Sequence, residues 1–336
     1  MSGFRDGPVR VTVPATSANL GPGYDTLGLA LGLHDSVSAR VASSGLALSV
    51  AGEGAAEVAE AGEKHLVVSA MRATFDALGT GQPPGIELRC ENRIPHGRGL
   101  GSSAAAICGG ILAARALAGA SAGPGDALPL ASALEGHPDN VAPCLYGGLT
   151  IAWLPSSGPG LAPGPGSAGG VRAVRLEPLP EVRAVVFVPD APVSTEVARG
   201  LLPDKVPHAD AAVNAGRAAL LVAALTVPTQ AGGRLGPDGW GGASRAEALL
   251  DATDDRLHQD YRAPAMPGTR DLVRRLRAAG VPAVVSGAGP SVLAFVADDL
   301  HKLDSTAKET GNYWRISPLD IERRGASVIC GASSAR

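Results

Sequence analysis

The stretch PHGRGLGSSAAAICGG, residues 95–110, constrains the fold more tightly than any other part of the chain. Gly97, Gly99 and Gly101 alternate along it and remove Cβ atoms where the backbone must bend closely around something. Ser102 and Ser103 follow, residue types favoured at helix starts, and an alanine-rich run then continues with helical character. The preceding GIELRCENRI (85–94) has strand character, so the unit is strand, glycine loop, helix. A helix start of this kind presents free backbone N–H groups and the positive end of its dipole, which suits an anion. The other reading is a tight strand–helix connection without a ligand. A Walker A loop would need lysine where Gly101 stands, and the dinucleotide fingerprint would need glycine where Ser102 stands. The protein-kinase motifs H-R-D and D-F-G are missing.

Elsewhere the pattern mixes strands and helices without a repeated βαβ beat, which implies α+β domains and not a doubly wound sheet. Strands are expected at 9–15, 182–190 and, around a glycine-rich bend, 282–296. Helices are expected at 64–79, 127–136, 209–225 and 269–280, with a turn and short helix at HPDNVAPCLYGG. A length of 336 residues with 45% hydrophobic residues permits one large domain or two ordinary ones. The 45 glycines and 27 prolines concentrate in PSSGPGLAPGPGSAGG (155–170) and TQAGGRLGPDGWGG (229–242), which read as surface insertions. A net charge of −3 gives no footprint for nucleic acid or an anionic membrane. Cys90, Cys108, Cys144 and Cys330 have neither C-x-x-C nor zinc spacing, so reduced thiols are expected. The N-terminus lacks a signal-peptide core, and no stretch approaches the ~20 apolar residues of a membrane span. A cytoplasmic protein is the expectation.

PHGRGLGSSAAA resembles the nucleotide loop of the GHMP kinases. VPATSANLGPGYDTLGLAL (13–31), EGHPDNVAPCLYGG (135–148) and SGAGPSV (286–292) resemble the signature segments of the homoserine kinases within that superfamily, in the right order over most of the chain. The resemblance implies a two-domain α+β GHMP kinase fold. Residues 1–154 would form the nucleotide-binding domain, 155–170 a Gly/Pro-rich connection, and 171–336 a ferredoxin-like C-terminal domain. It also implies ATP and Mg2+ as cofactors, L-homoserine as acceptor, phosphorylation of its side-chain hydroxyl on the route to threonine, and the homodimers common in the family.

By the same resemblance the nucleotide lies against Pro95, His96, Gly97, Arg98, Gly99, Leu100, Gly101, Ser102, Ser103, Ala104 and Ala105. Ser103 and Glu135 hold magnesium, a hard cation needing only one or two protein oxygens besides the phosphates. Its charge would replace the missing P-loop lysine. Asn19 and Asp25 meet the substrate ammonium, although both residue types also stabilise turns. His137 lines the substrate pocket. Asp139 either takes the hydroxyl proton or grips the ammonium, and Asn140 orients the attacking oxygen; both could instead serve as cap and turn residues. Arg199 and Arg262 suit the carboxylate, whose two oxygens match a guanidinium fork. Thr195, Gly287 and Gly289 complete the pocket. No lysine fits the Asp–Lys pair associated with mevalonate kinases, so positioning is favoured over general base catalysis. Lys64 or His65 falls where relatives often place an asparagine near adenine. Competing readings are another small-molecule GHMP kinase, of mevalonate or sugar type, and a non-catalytic ligand-binding relative.

Overall fold

The computed structural model describes residues 3–58, 60–155, 170–228, 240, 242–296, 300–311 and 313–331. Most of 155–170 and 229–242, read above as insertions, lies outside these residues. The elements run β1 (Val9–Ala18), β2 (Leu27–Ala42), β3 (Gly45–Gly52), α1 (Ala55–Val58), α2 (Leu66–Leu78), β4 (Gly85–Asn92), α3 (Ser102–Leu117), α4 (Pro124–Glu135), α5 (Pro138–Tyr146) and β5 (Leu149–Trp153). The second half contains β6 (Arg172–Leu176), β7 (Arg183–Pro189), α6 (Thr195–Gly200), α7 (His208–Thr226), α8 (Arg245–Ala252), α9 (Gln259–Arg262) and α10 (Pro267–Ala278). It closes with β8 (Ala283–Val285), β9 (Val292–Val296), α11 (Leu300–Lys308), β10 (Trp314–Leu319) and β11 (Ser327–Cys330).

Two sheets organise these elements, giving the α+β architecture expected. The larger has seven strands with the path β11-β1-β2-β4-β3, β5 and β6 branching from β2; the smaller has the order β10-β7-β9-β8. Residues 171–336 are thus divided between the two sheets. β6 pairs with β5, and β11 pairs with β1 from Val9↔Cys330 to Thr12↔Ser327. The division at 154/171 therefore does not follow the sheets, because the chain's last strand returns to the first.

β1 alternates Val9, Val11 and Val13 into the core, where α2 and α3 cover the sheet with Val68, Met71, Phe75, Cys108 and Ile111. Its register against β2 shifts between Pro14 and Ala15, at a residue that cannot donate a ladder hydrogen bond. Beyond that shift the strand continues buried as far as Ala18 and delivers Thr16 and Ser17 into the interior. The smaller sheet packs on α10 through Leu272, Val273 and Leu276, while Arg270, Arg274 and Arg275 on the same helix are half-exposed or exposed. All four cysteines are unpaired, Cys90, Cys108 and Cys144 being buried.

One helix bears on the expectation that no stretch spans a membrane. The 19-residue helix α7 is long and apolar enough, by length and composition, to cross a membrane. A count of consecutive apolar residues passes over it because His208, Asp210, Asn214 and Arg217 interrupt the run. Its inner face is docked: Leu221, Ala224 and Leu225 are in the core, and Asn214 Nδ2 donates to Pro22 O at 2.7 Å.

Candidate active site

Three glycine-rich segments meet at one place. Gly97, Gly99 and Gly101 all adopt left-handed φ, at 64°, 72° and 70°. A Cβ on Gly101 would lie 2.0 Å from Thr16 Oγ1, and one on Gly99 would lie 2.2 Å from Ser286 O. The loop needs glycine at these points for both conformation and space. Ser286 Oγ donates to Gly99 O at 2.7 Å and lies 2.8 Å from Ser17 Oγ, while Asn19 Nδ2 donates to Gly287 O at 2.8 Å. Side-chain hydrogen bonds thus knit the nucleotide-type loop, the SANLGPGYD turn and the SGAGPS bend together. Asn19, Leu20 and Asp25 hold positive φ of 66°, 50° and 51° without being glycine, strain of the kind that accumulates at functional sites.

At their junction is a cavity of about 200 Å³. Its wall includes the loop glycines, Ser102 and Ser103, then Glu135, His137, Asp139 and Asn140, and finally Asn19, Thr195, Arg199, Arg262, Gly287 and Ala288. Gly101 caps α3 without a side-chain bond, so the first N–H groups of this 16-residue helix have no intrahelical acceptor beside the cavity. Gly136, in left-handed conformation, separates the end of α4 from the start of α5. This corner brings Glu135 from one helix end and His137, Asp139 and Asn140 from the next helix start to the same wall.

Ser103 Oγ donates to Glu135 Oε1 at 2.7 Å. Burial raises the Glu135 carboxyl above its ordinary value, with the Ser103 hydrogen bond working against the rise. Asp139, fully buried, lies with Oδ1 2.5 Å from His137 Nδ1. Burial disfavours a charged His137, but its hydrogen bond to the Asp139 carboxylate and the Asp139 and Glu135 charges outweigh it and raise its pKa. Thr16 Oγ1 donates to Asn140 Oδ1 at 2.8 Å, which leaves the Asn140 amide N–H groups for the cavity.

The two arginines differ. Arg199 donates to Asp25 at 2.8 and 3.3 Å and to the Tyr24 hydroxyl at 3.2 Å. Arg262 is the largest fully buried side chain, 1% exposed, and among the described residues it pairs with no carboxylate. It bonds His258 Nδ1 at 3.2 Å and Gly287 O at 3.4 Å, its cation lies 5.4 Å from the Tyr24 ring centre, and its Nε has no partner. Burial lowers its pKa.

The structure separates some expected residues from this cavity. Asp25 is not on its wall but is joined to Arg199, although the two were expected at opposite ends of one substrate. Arg98 spends its guanidinium on the carbonyls of His96, Pro189 and Asp190, tying the loop to the end of β7. Pro95, Leu100 and Ala104 are buried behind the loop. Gly289 packs against Met266 and leaves Gly287 and Ala288 to face the cavity. A neighbouring cavity of about 210 Å³, largely aliphatic, shares Ser102 and Ser103 and is lined by His96, Ala105, Lys64 and His65. His65 Nδ1 is buried there without a partner among the described residues, and burial lowers its pKa. Sequence reasoning missed Thr16, Ser286 and His258. Thr16 and Ser286 lie inside segments already singled out, whereas His258 Nε2, 2.8 Å from Gly21 O, has no local signature.

The fold and the loop define a GHMP kinase: residues 65–148 match the model of the GHMP kinases N terminal domain, and residues 241–312 match GHMP kinases C terminal. The chain is 54% identical to a homoserine kinase of Streptomyces coelicolor, over 97% of this chain and 96% of that one. It is 48% identical to one of Clavibacter michiganensis, over 95% and 93%. Its structure resembles a crystal structure of homoserine kinase from Cytophaga hutchinsonii with a TM-score of 0.76 at 27% identity, covering 98% and 99% of the two chains. The protein belongs to the homoserine kinase family.

Proposed function

We propose that the protein transfers the γ-phosphoryl group of ATP to the side-chain hydroxyl of L-homoserine, and that the cavity at the glycine junction is where this occurs. One observation carries the reading beyond family membership. Arg262 is a fully buried cation beside the cavity that, among the described residues, has an unpartnered Nε and pairs with no carboxylate, an arrangement that costs free energy until an anion arrives. A carboxylate meets that need with two parallel hydrogen bonds, and Arg199 is on the same wall. A neutral sugar or alcohol would leave Arg262 as it is, so Arg262 favours an acceptor that carries a carboxylate; the buried Asp139 on the same wall is what separates an amino acid from a hydroxy acid without an ammonium.

The remaining groups divide the work. Asp139, already partnered by His137, offers its carboxylate to the substrate ammonium. Asn140, held by Thr16, directs its amide at the hydroxyl. The free N–H groups of Ser102 and Ser103 face the phosphates, and the aliphatic cavity beside them takes the nucleoside. Ser103 and Glu135 provide the two oxygens that Mg2+ requires from protein, and the ion would supply charge to the β- and γ-phosphates. Phosphoryl transfer through a loose transition state needs alignment and charge stabilisation more than proton abstraction. Asp139 therefore serves here as an anchor rather than a strong base.

The test is ADP release with Mg-ATP and L-homoserine, set against mevalonate, galactose and no acceptor. Turnover that depends on homoserine is expected. Turnover with mevalonate or galactose and none with homoserine would remove the acceptor assignment while keeping the kinase.

A further inference from the structure

Beside α9 lies another cavity of about 200 Å³, lined by Gln259, Asp260 and Ala263 and outside the site described above. One wall is basic. Arg270, Arg274 and Arg277 come from α10 at spacings of four and three residues, which places them on one helix face. No carboxylate among the described residues forms a hydrogen bond with any of the three, although Asp254 and Asp251 act on Arg277 at longer range. Arg277 donates only to neutral acceptors, Thr253 Oγ1 at 2.6 Å and Leu250 O at 3.0 Å, and among the described residues it pairs with no carboxylate. Arg270 and Arg274 share the single carboxylate of Asp260 at 3.8 and 3.9 Å, beyond hydrogen-bond distance.

The other acidic groups on the wall are committed elsewhere. Asp255 accepts from the backbone N–H groups of Leu257, His258 and Gln259. Asp254 accepts from Arg256 at 3.2 and 3.3 Å. The floor is apolar, formed by Met266, Val273 and Val285. A guanidinium face above an apolar floor, exposed at Arg270 and Arg274 and partly buried at Arg277, suits a planar anion attached to a short hydrocarbon chain.

The back of this cavity is the support of the active-site arginine. Gln259 and Ala263 line it and bracket Arg262 in sequence, and Gln259 Oε1 accepts from Val285 N at 2.5 Å. Val285 leads directly into the bend whose Gly287 O receives Arg262. A molecule in the cavity would therefore touch both elements that hold Arg262 in place.

We propose that this cavity is a second small-molecule site, which binds a small carboxylic acid with a short apolar chain and alters homoserine affinity through α9. The carboxylate would take the place of Asp260 between Arg270 and Arg274 and reach toward Arg277.

Calorimetric titration of the full chain with butyrate, with inorganic phosphate run in parallel, tests the binding. Saturable butyrate binding is expected. R274E should weaken it by on the order of tenfold or more, the loss associated with a charge-assisted hydrogen bond, and leave kcat unchanged. R270E serves if R274E does not fold. Because butyrate could also find the active-site arginines, Arg199→Ala is titrated too and should bind butyrate as the unaltered chain does. Binding lost in Arg199→Ala but retained in R274E would overturn the site. Phosphate binding without butyrate binding would overturn the carboxylic-acid assignment. Saturating butyrate should change the homoserine KM by about fivefold or more, with the ATP KM unchanged; an unchanged homoserine KM would overturn the link through α9. The titrations need no turnover, so they stand or fall apart from the proposed activity.

Discussion

Replacing Arg262 with methionine separates binding from stability in a way few active-site substitutions do. The guanidinium is 1% exposed, meets no carboxylate among the described residues, and has an unpartnered Nε. Its contacts in the free protein are a histidine nitrogen, a carbonyl at 3.4 Å and an aromatic face. Removing buried charge in favour of a well-packed apolar chain of similar volume often stabilises a protein by ~1–4 kcal/mol, even where the charge was paired. We expect Arg262→Met to stabilise the substrate-free protein by about 2 kcal/mol. For 336 residues an unfolding entropy of ~2 cal/mol/K per residue amounts to about 0.7 kcal/mol/K, so Tm should rise by about 3 °C. The same change deletes two charge-assisted hydrogen bonds of ~1.5–3 kcal/mol each to the substrate carboxylate. The homoserine KM should therefore increase by about 100-fold or more, with the ATP KM little affected. Differential scanning calorimetry without substrate, paired with initial-rate kinetics, measures both. A lower Tm would refute the reasoning, because it would make Arg262 a structural cation satisfied by His258 and Gly287.

Other expectations follow from the loop and from α5. Gly101→Ala places a methyl group 2.0 Å from Thr16 Oγ1 at a φ of 70°; with ~1–2 kcal/mol of left-handed strain it should reduce kcat more than tenfold and lower Tm. Normal kinetics would show that the loop can yield. Burial raises the Glu135 pKa and the metal needs the ionised carboxylate, so kcat/KM should fall with decreasing pH at a value above the ordinary glutamate range. A profile flat down to that range would remove Glu135 as metal ligand. Since a raised carboxyl pKa opposes folding of the charged form as pH rises, Glu135→Gln should be more stable than the unaltered chain at neutral pH in denaturant titrations. The His137–Asp139 pair contributes stability that is fully present below the ordinary histidine pKa and is lost as pH rises through the raised value. His137→Asn should flatten that part of the stability–pH curve.

What the sequence reveals about the site depends on how local each role is. The glycine loop and the HPDN corner are legible because their requirements, positive φ and a helix start, act over a few residues. The Ser103–Glu135 contact at 2.7 Å is available only through resemblance, since 32 residues separate the partners. Thr16 is passed over although it sits inside a quoted segment, because its role is to hold Asn140 across 124 residues. The return of β11 to β1 is likewise hidden. A four-residue strand at the far end of the chain carries no periodicity that would place it in the first sheet instead of the second.

The Asp25–Arg199 pair shows why a role assigned to single residues can mislead. Asp25 and Arg199 suit the ammonium and the carboxylate of an amino acid, and in the free protein they satisfy each other at 2.8 Å. With their side chains each 36% exposed, the pair is worth at most about 1 kcal/mol. Exchanging it for bonds to the two charged ends of a substrate would therefore be easy, and the pair keeps Arg199 ordered until then. Among the described residues Arg262 has no such carboxylate to give up. Selection against an uncharged acceptor consequently falls on Arg262, while Asp25 and Arg199 tune how readily the pocket opens to a charged one. If so, Asp25→Asn should change the homoserine KM by far less than Arg262→Met. Equal effects would place the two groups in the same ion-binding role.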